Sequence, residues 1–446
     1  MRPIAATIAV LILAPPLWAA DLAKTRWGVE TATLANGLEV IVVPQQRMPA
    51  IHHLLMYKVG STEEEPGKTG LAHYLEHLMF KGTEKTPPGA FDALVNRHGG
   101  RQNAFTSADY TGYFQTMPRD QLGAMMALEA DRMAGLKLSE ANSRPELSVV
   151  LEERNQRVNA PPGGRLSEKA AAALFPDHPY GRPVIGWEAD IKTLTYQDAL
   201  AFHARWYAPN NAVLIVAGDT DLSEVLRLAD ATYGRVTARA LPPRVALPIP
   251  AAPTDRKLTE VSARAPTPAW SARAIGPSLS TVSPDEAAAM AVLIDGFGQG
   301  LGSRLDRTLV NEQRLAQQAL AGVDLSRRGP GQIFLSASPA PGVDLDRLET
   351  AFLAEVGRVQ REGLSETEVN RAIERLTNGE AFERDSLTGL ANSLGRAKMI
   401  GRTPDDVAAD DDRIRRVTPA EVRQSAARWF NPAAFVITHL LPKAAP

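Results

Sequence analysis

The chain has 446 residues, of which 44% are hydrophobic and 22% charged, and its net charge is −2 at pH 7. This composition is ordinary for a soluble globular protein, and the length favours two or three domains. The charge balance lacks the basic excess of nucleic-acid-binding proteins, so no nucleic-acid partner is expected. No cysteine is present, which excludes disulfide bonds and a cysteine nucleophile.

The first 20 residues have the layout of a secretory signal peptide. Arg2 precedes a short apolar run from Ile4 to Leu13, and the small residues Ala19 and Ala20 follow. The run is too short for a membrane-spanning helix, and no later segment is long and apolar enough to span a bilayer. We therefore expect cleavage after Ala19 or Ala20 and a periplasmic protein without a stable membrane span. The alternative is a retained membrane anchor.

The first part of the mature chain mixes strands with helices. Asn36-Gly37 lies between two alternating apolar runs and predicts a β-hairpin, and residues 52–60 predict a further strand. Helical spacing follows in "GLAHYLEHLMFKG" and "GAFDALVNRHGG", and "RQNAFTSADYTGYFQTMP" predicts two more strands. Hairpins combined with long helices favour an α+β fold, with a mainly antiparallel sheet and helices packed on one face.

The chain contains an internal repeat on either side of a linker. Residues 237–257 are rich in proline and alanine and lack periodicity, as is typical of an extended linker. The segments 194–219 and 417–442 align without a gap. Each has a threonine, a helix of matched length, Arg-Trp-aromatic, a proline and an apolar strand. We therefore predict two homologous domains, at residues 21–236 and 258–446.

The helical stretch "GLAHYLEHLMFKG" carries His73, Glu76 and His77. Residues at i and i+4 of a helix share a face, so both histidines are able to ligate one metal ion, with Glu76 beside them to hold a water at the metal. The order His-x-x-Glu-His is the signature of the inverzincin metallopeptidases. The alternative is a helix that carries two histidines on a solvated or packed face.

A catalytic zinc ion needs a third protein ligand. The segment "RPELSVVLEERNQRV" predicts a helix with Pro145 at its start, and Glu146 and Glu153 share one of its faces because they are two turns apart. Such a pair suits one ligand and one carboxylate that orients a histidine. Glu152 is rotated off that face, and we interpret it as a solvated surface residue.

The sequence resembles the pitrilysin/insulinase family of metallopeptidases, most closely the bacterial branch similar to mitochondrial processing peptidase. The resemblance covers nearly the whole mature chain and includes "NGLEVIVV", "GLAHYLEHLMFKGT", "RQNAFTSADYTGYF", "VVLEERNQR", "HPYGRPVIG", "WYAPNNAVLIVAGD" and "FGQGLGSRLDRTLVNEQRLA". It implies that His73, His77 and Glu153 are the zinc ligands. It also implies that Glu76 is the general base and that Glu146 is a supporting carboxylate.

The resemblance implies a zinc-dependent endopeptidase with one zinc ion per chain, acting on peptides or small unfolded polypeptides. The ligand set alone also permits manganese or cobalt. In the family, the substrate lies as an added strand on a sheet edge beside the zinc ion. The matching segment here implies that Asn103 and Ala104 contact the substrate backbone. The alternative for these two residues is an ordinary edge strand.

One departure from the family concerns the second half of the chain. Single-chain members supply an arginine and a tyrosine that bind substrate and stabilise the oxyanion. The matching positions here hold Val310 and Gln317, and Arg314 lies on the wrong turn. The resemblance therefore implies the zinc-carrying subunit of a heterodimer, whose homologous zinc-free partner supplies the Arg/Tyr pair. The competing hypothesis is a non-catalytic scaffold or peptide-binding subunit of the same fold.

Overall fold

The computed structural model describes residues 18–19, 25, 27–253 and 256–443. The predicted signal peptide, residues 1–20, lies outside the described residues except for Trp18 and Ala19. The strands are β1 (Trp18–Ala19), β2 (Glu30–Leu34), β3 (Glu39–Pro44), β4 (Ala50–Tyr57), β5 (Arg101–Thr106), β6 (Thr111–Pro118), β7 (Ala212–Gly218), β8 (Lys257–Ser262), β9 (Ala269–Gly276), β10 (Ala316–Asp324), β11 (Gly331–Pro339) and β12 (Val436–Pro442). The helices are α1 (Leu71–Leu78), α2 (Ala90–Arg97), α3 (Leu122–Gly135), α4 (Glu140–Arg154), α5 (Gly164–Leu174), α6 (Glu188–Ile191), α7 (Tyr196–Trp206), α8 (Leu222–Ala231), α9 (Pro284–Gly298), α10 (Leu345–Glu362), α11 (Glu366–Asp385), α12 (Gly389–Met399), α13 (Pro404–Ala408), α14 (Asp410–Arg416) and α15 (Pro419–Trp429).

The strands form two sheets, one in each half of the chain. The N-terminal sheet has the order β1-β2-β3-β7-β4-β6-β5, and the C-terminal sheet has the order β10-β11-β9-β12-β8. Five strands correspond between them, since β3-β7-β4-β6-β5 matches β8-β12-β9-β11-β10. In both sets the first pair is parallel and the other three pairs are antiparallel. The predicted α+β fold of two homologous, mainly antiparallel repeats is therefore confirmed.

Local sequence explains several of these elements. The predicted hairpin between β2 and β3 turns at residues 35–37, where the Leu34 carbonyl accepts the Gly37 amide at 2.9 Å and Gly37 takes a left-handed φ of 85°. The aligned segments of the repeat form α7 followed by β7, and α15 followed by β12. Both helices begin at a threonine capping box, at Thr195 and Thr418, and end at a tryptophan.

One predicted helix start is wrong. Helix α4 begins at Glu140 and continues through Pro145, rather than starting there. Ser139 and Asn142 form a capping box at the true start. Its reciprocal hydrogen bonds offset the single backbone bond that an internal proline removes.

Each sheet is covered on both faces, and each half supplies one of the covering helices to the other. One face of the N-terminal sheet packs against its own helices, including α1, α3, α7 and α8. The opposite face packs against α12 of the C-terminal half, through Leu390, Ala391 and Leu394. In return, α5 packs on the second face of the C-terminal sheet, where Leu174 and Val436 share one apolar cluster. This exchange has no signature in the sequence pattern.

The segment between the two sheets carries no helix or strand at residues 237–253. It is tied to the N-terminal half, since Arg239 donates to the Ala204 carbonyl at 2.8 Å and Arg244 to the Asp109 carbonyl at 2.7 Å. Within the described ranges, no helix has the length and apolar character needed to cross a membrane.

Candidate metal centre

Helix α1, which carries the His-x-x-Glu-His motif, begins at a glycine. Gly70 has a left-handed φ of 87°, and a Cβ there would lie 2.6 Å from the Ile185 carbonyl oxygen. The buried carboxyl group of Glu64 accepts hydrogen bonds from the backbone amides of Gly70 (3.0 Å) and Ala72 (2.8 Å), which otherwise lack partners at a helix start. Burial raises the pKa of Glu64 to about 8. These contacts fix the position of α1 against the loop at Ile185.

Three side chains of α1 and α4 bring donor atoms to one point. Nε2 of His73 lies 3.4 Å from Oε2 of Glu153, and Nε2 of His77 lies 3.2 Å from the same oxygen. Two ligands of a tetrahedral zinc ion, each at about 2.0–2.1 Å, are about 3.4 Å apart. Oε2 of Glu153 is buried and has no hydrogen-bond partner among the described residues. The donor set therefore fits one zinc ion.

The two histidines are prepared for ligation by their surroundings. Burial lowers the pKa of His73 to about 3, and the charges of His77 and Arg157 lower it further, so the ring is neutral as a metal ligand must be. Nδ1 of His77 bonds to Oε1 of Glu146 at 2.9 Å, and Glu146 is also paired with Lys81. Glu146 therefore orients the ring of His77, as carboxylates beside metal-binding histidines do.

Glu76 lies on the same helix, next to His77, and lines the cleft at the metal centre. Its Oε2 accepts a hydrogen bond from Oγ1 of Thr106 on β5 at 2.5 Å. Burial raises the pKa of Glu76, although the bond from Thr106 acts against the shift. A carboxylate with a raised pKa beside a metal site is suited to accept a proton from water and return it.

A π-helical turn, Asn155–Asn159, follows α4 and carries Arg157. Nη2 of Arg157 lies 2.7 Å from Oε1 of Glu153. The two carboxylate oxygens of Glu153 thus have different surroundings, since one faces Arg157 and the other faces the histidines. Single π turns are frequent at functional sites.

The donor atoms open into a cleft of about 890 Å³. Asn103 and Ala104 line it from β5, which is the edge strand of the N-terminal sheet. The backbone N–H of Ala104 donates a hydrogen bond to Oδ1 of Asn103 at 2.8 Å. While this bond is present, the N–H group cannot donate to a strand added at this edge. Besides Ala104, the apolar residues of the lining are Phe80, Phe105, Val149, Val184 and Ile185.

Comparisons with known proteins identify the family. A family model described as "Insulinase (Peptidase family M16)" matches residues 41–188, and one described as "Peptidase M16 inactive domain" matches residues 193–376. The chain is 30% identical to the zinc protease PqqE of Helicobacter pylori over 353 residues, which are 77% of each protein. The chain belongs to the M16 peptidase family.

Further M16 proteins match most of the chain. The probable mitochondrial-processing peptidase subunit beta of Schizosaccharomyces pombe is 26% identical over 415 residues, 90% of this chain and 88% of that protein. The crystal structure of a protease from Helicobacter pylori matches with a TM-score of 0.86 and 27% identity, covering 93% of this chain and 99% of that chain. The resemblance predicted from the sequence is therefore confirmed.

In this M16 chain, the two positions at which the sequence resemblance led us to expect an arginine and a tyrosine do not reach the cleft. Val310 is half-buried in the π-helical turn Asp306–Glu312, and Gln317 is exposed at an irregularity in the pairing of β10 with β11. Among the described residues, neither side chain lines the cleft.

A second group of metal-ligating side chains lies in the C-terminal half. Asp346, Glu349 and His439 offer donor atoms within 4.8 Å of one another. The ammonium group of Lys257 lies 3.6 Å from Glu349 and 4.0 Å from Asp346, and Nε1 of Trp270 donates to Glu349 at 3.1 Å. Because Glu349 is already bonded by Trp270 and paired with Lys257, and Asp346 is exposed, we interpret this cluster as a structural polar network.

Four residues that support the site were not predicted from the sequence. They contact α1 or the proposed metal ligands, and they are Glu64, Lys81, Thr106 and Arg157. Lys81 and Arg157 could have been predicted, because they lie four residues after His77 and Glu153, and residues at i and i+4 of a helix are neighbours. Glu64 and Thr106 reach the site only through the fold.

Proposed function

We propose that this M16 chain is a zinc-dependent endopeptidase that hydrolyses peptides or small unfolded polypeptides. The observation that carries the proposal is the convergence of donor atoms from His73, His77 and Glu153 in an open cleft. Three protein ligands with an open fourth position are typical of catalytic zinc sites. The name of the relative PqqE, a zinc protease, supports the same activity and metal.

The proposed mechanism assigns a separate task to each side chain. When bound by these ligands, a zinc ion supplies the Lewis acidity that activates water and polarises a peptide carbonyl. Glu76 takes a proton from the attacking water and delivers it to the leaving amine. The hydroxyl group of Thr106 holds the Glu76 carboxylate, and Glu146 holds the ring of His77.

The substrate is proposed to lie as an extended strand along β5. Backbone pairing to an exposed sheet edge gives affinity with little dependence on sequence, and Asn103 and Ala104 are the proposed contacts. The Ala104 amide becomes available when the Asn103 side chain rotates away from it. The apolar residues of the cleft favour an apolar side chain next to the scissile bond.

We further propose that the chain is the catalytic subunit of a periplasmic heterodimer. Val310 and Gln317 stand where the family's arginine and tyrosine are expected, so a homologous partner has to supply that pair. The relative named as subunit beta of a mitochondrial-processing peptidase supports a subunit role. The signal-peptide pattern of residues 1–20 supports export.

The test measures cleavage of a library of unfolded peptides by mass spectrometry. It compares three samples: the protein stripped of metal, the protein with zinc restored, and the zinc-restored protein together with a zinc-free homologue. We expect cleavage only after zinc is restored. One oxyanion-stabilising group is worth about 10²–10³-fold in rate, so the partner should raise the rate by that order. Full activity without the partner would contradict the heterodimer, and no cleavage in any arm would contradict the peptidase.

The competing function is a non-catalytic peptide-binding subunit. Two observations favour it: the missing Arg/Tyr pair and the description "inactive domain" of the family model that matches residues 193–376. This function predicts peptide binding without cleavage in every arm of the same experiment.

A further inference from the structure

Arg273 lies on the second face of the C-terminal sheet, away from its helical core. Side chains alternate along a strand, and Trp270, Ala272 and Ala274 of β9 belong to the core. Arg273 therefore points to the opposite face. Its cross-strand neighbours, Phe334 on β11 and Val436 on β12, are both apolar.

This guanidinium group has no counter-charge. Among the described residues, Arg273 forms no ion pair, and its side-chain hydrogen bond goes to Oγ of Ser167 on α5 at 2.6 Å. Burial lowers the pKa of Arg273, and the positive charge of Arg327 lowers it further. Because a charge that is largely shielded from water and has no partner destabilises a fold, a stabilising ion pair does not explain Arg273 at this half-buried position.

The guanidinium group faces a pocket of about 270 Å³ between the sheet and α5. The pocket wall is rich in hydroxyl and amide groups, which are able to donate hydrogen bonds to an anion. They belong to Ser167, Ser271, Gln318, Ser336, Ser338 and Thr438, and no carboxylate is among the described lining residues.

The charged groups around the pocket are already paired with one another. Glu260 on β8 lies 3.7 Å from Lys169 of α5, and Arg327 is bonded to Asp324 at 2.6 Å. Arg273 is therefore the charge that the surrounding described residues leave unneutralised. A planar guanidinium group matches a carboxylate with two parallel hydrogen bonds.

The pocket is close in sequence to the metal centre. Gly163, which lines the pocket, follows Glu153 by ten residues, through the π turn that carries Arg157. Arg264 of the C-terminal half donates to the carbonyl groups of Ala160 and Asn159 at 2.9 and 3.0 Å and so fixes this connection. The segment that follows the metal-binding helix α4 therefore leads directly into α5, which forms one wall of the pocket.

We propose that the pocket at Arg273 is a carboxylate-binding subsite, which holds an acidic side chain or the C-terminal carboxylate of a peptide substrate. The proposal rests on the proposed peptidase function. Small oxyanions such as phosphate share the same chemistry, so the experiment has to separate them from a peptide.

The test is peptide binding to the zinc-loaded Glu76→Gln protein, which is expected to bind peptides without cleaving them. One fluorescent peptide is used with a free carboxylate terminus, and the same peptide is used with an amidated terminus. We expect the carboxylate form to bind about tenfold more tightly, which corresponds to about 1.4 kcal/mol. Adding Arg273→Gln should abolish this difference, while Arg273→Lys should retain part of it.

Arg347→Gln is the matched control, because Arg347 is exposed on α10 of the same half. The control should keep the full preference for the carboxylate form. If the protein with Arg273→Gln still prefers the carboxylate peptide as strongly as the protein with Arg273 does, the proposal is overturned. Binding of inorganic phosphate at Arg273 without any preference between the two peptides would also overturn it, since the pocket would then be an oxyanion site outside substrate recognition.

Thermal unfolding separates recognition from a structural role. Because Arg273 lacks a counter-charge, Arg273→Gln should leave the Tm unchanged or raised in the absence of peptide. A lowered Tm with an equal loss of affinity for both peptides would overturn the subsite. If the peptide preference depends on Arg273 while the zinc-restored protein and its partner cleave no peptide, the subsite stands and the proposed peptidase function fails.

Discussion

The two histidines of the candidate metal centre are supported differently at the scale of single residues. Nδ1 of His77 is bonded to Glu146, whereas Nδ1 of His73 is buried and has no hydrogen-bond partner among the described residues. The orientation of His73 is therefore set by packing alone, and the carboxylate support of the site is concentrated on His77.

Replacement of Glu146 by glutamine tests this support. Glu146→Gln removes the charge that orients His77 and pairs with Lys81, so zinc should bind about 10–100-fold more weakly. The zinc dissociation constant, measured by competition with a chromophoric chelator, checks the prediction. Glu152→Gln is the control, because Glu152 is exposed on the same helix and bonds to Gln156. Equal zinc affinity in the two variants would contradict the role of Glu146.

The residues predicted from the sequence are those whose relation is helical. His73, Glu76 and His77 share one short helix, and Glu146 and Glu153 share another, so spacing alone predicts which side chains lie together. Thr106 and Glu64 belong to a strand and a loop that reach the site through tertiary packing. No local pattern carries that information.

At the scale of helices and strands, the sequence pattern predicts some features of the structure and misses others. The hairpin at Gly37 was predictable because a short hairpin loop often needs a left-handed residue, which glycine adopts without strain. The start of α4 was ambiguous, because residues 138–157 have the pattern of a capped helix while Pro145 is a second local start signal; the structure has the capped start at Ser139. Coverage of each sheet by a helix from the other half was not predictable, since it pairs segments far apart in the sequence.

The start of α1 provides a prediction at the scale of elements. Gly70→Ala should lower the Tm and weaken zinc binding, because the new Cβ meets the Ile185 carbonyl oxygen at 2.6 Å and φ is 87°. Gly67→Ala is the matched control, since Gly67 has a φ of 81° and open space around it. In the control, the free energy of unfolding should fall only by the strain of a left-handed non-glycine residue, about 1–2 kcal/mol. Equal losses of Tm and zinc affinity in both variants would contradict this account.

A pH-dependent ion pair connects α11 to the segment that follows α9. Glu368 accepts hydrogen bonds from Arg304 at 2.6 Å and Arg307 at 2.9 Å. Burial alone would raise the pKa of Glu368, but the bonds from Arg304 and Ser365 lower it to about 2. Because the folded pKa lies below the ordinary value of 4.5, the pair stabilises the fold above that pH, and this stabilisation is lost as the pH falls toward 2.

Glu368→Gln should therefore be less stable than the unaltered protein near neutral pH, by about 3–5 kcal/mol, since it leaves buried Arg304 unpaired. The difference should narrow as the pH falls below 4.5. Urea unfolding of both proteins at about pH 7 and about pH 3 measures the gap. A gap of the same size at both pH values would contradict the assigned pKa shift.

At the scale of the whole molecule, the exchange of helices makes the two halves depend on each other. Without α12, the N-terminal sheet exposes a continuous apolar face formed by Val29, Ile41, Val43, Leu54, Met56, Val213, Ile215 and Ala217. Exposed apolar patches of this kind promote aggregation.

Residues 21–253 expressed alone should therefore be insoluble or bind a hydrophobic dye strongly. Co-expression with residues 256–446 should restore a soluble complex, because α12 then covers the exposed sheet face. The soluble fraction and dye fluorescence of the two preparations check this prediction. A soluble N-terminal fragment with cooperative unfolding would show that the exchanged helix is dispensable.

The central claim is that Glu76 performs acid–base chemistry beside a zinc ion held by His73, His77 and Glu153. The most direct test is the rate of peptide hydrolysis per bound zinc ion in the Glu76→Gln protein. Because Glu76 is not a ligand, we predict an unchanged zinc content and a rate lower by about 10²–10⁴-fold, the usual contribution of a general base. Unaltered hydrolysis by Glu76→Gln at full zinc content would contradict the account.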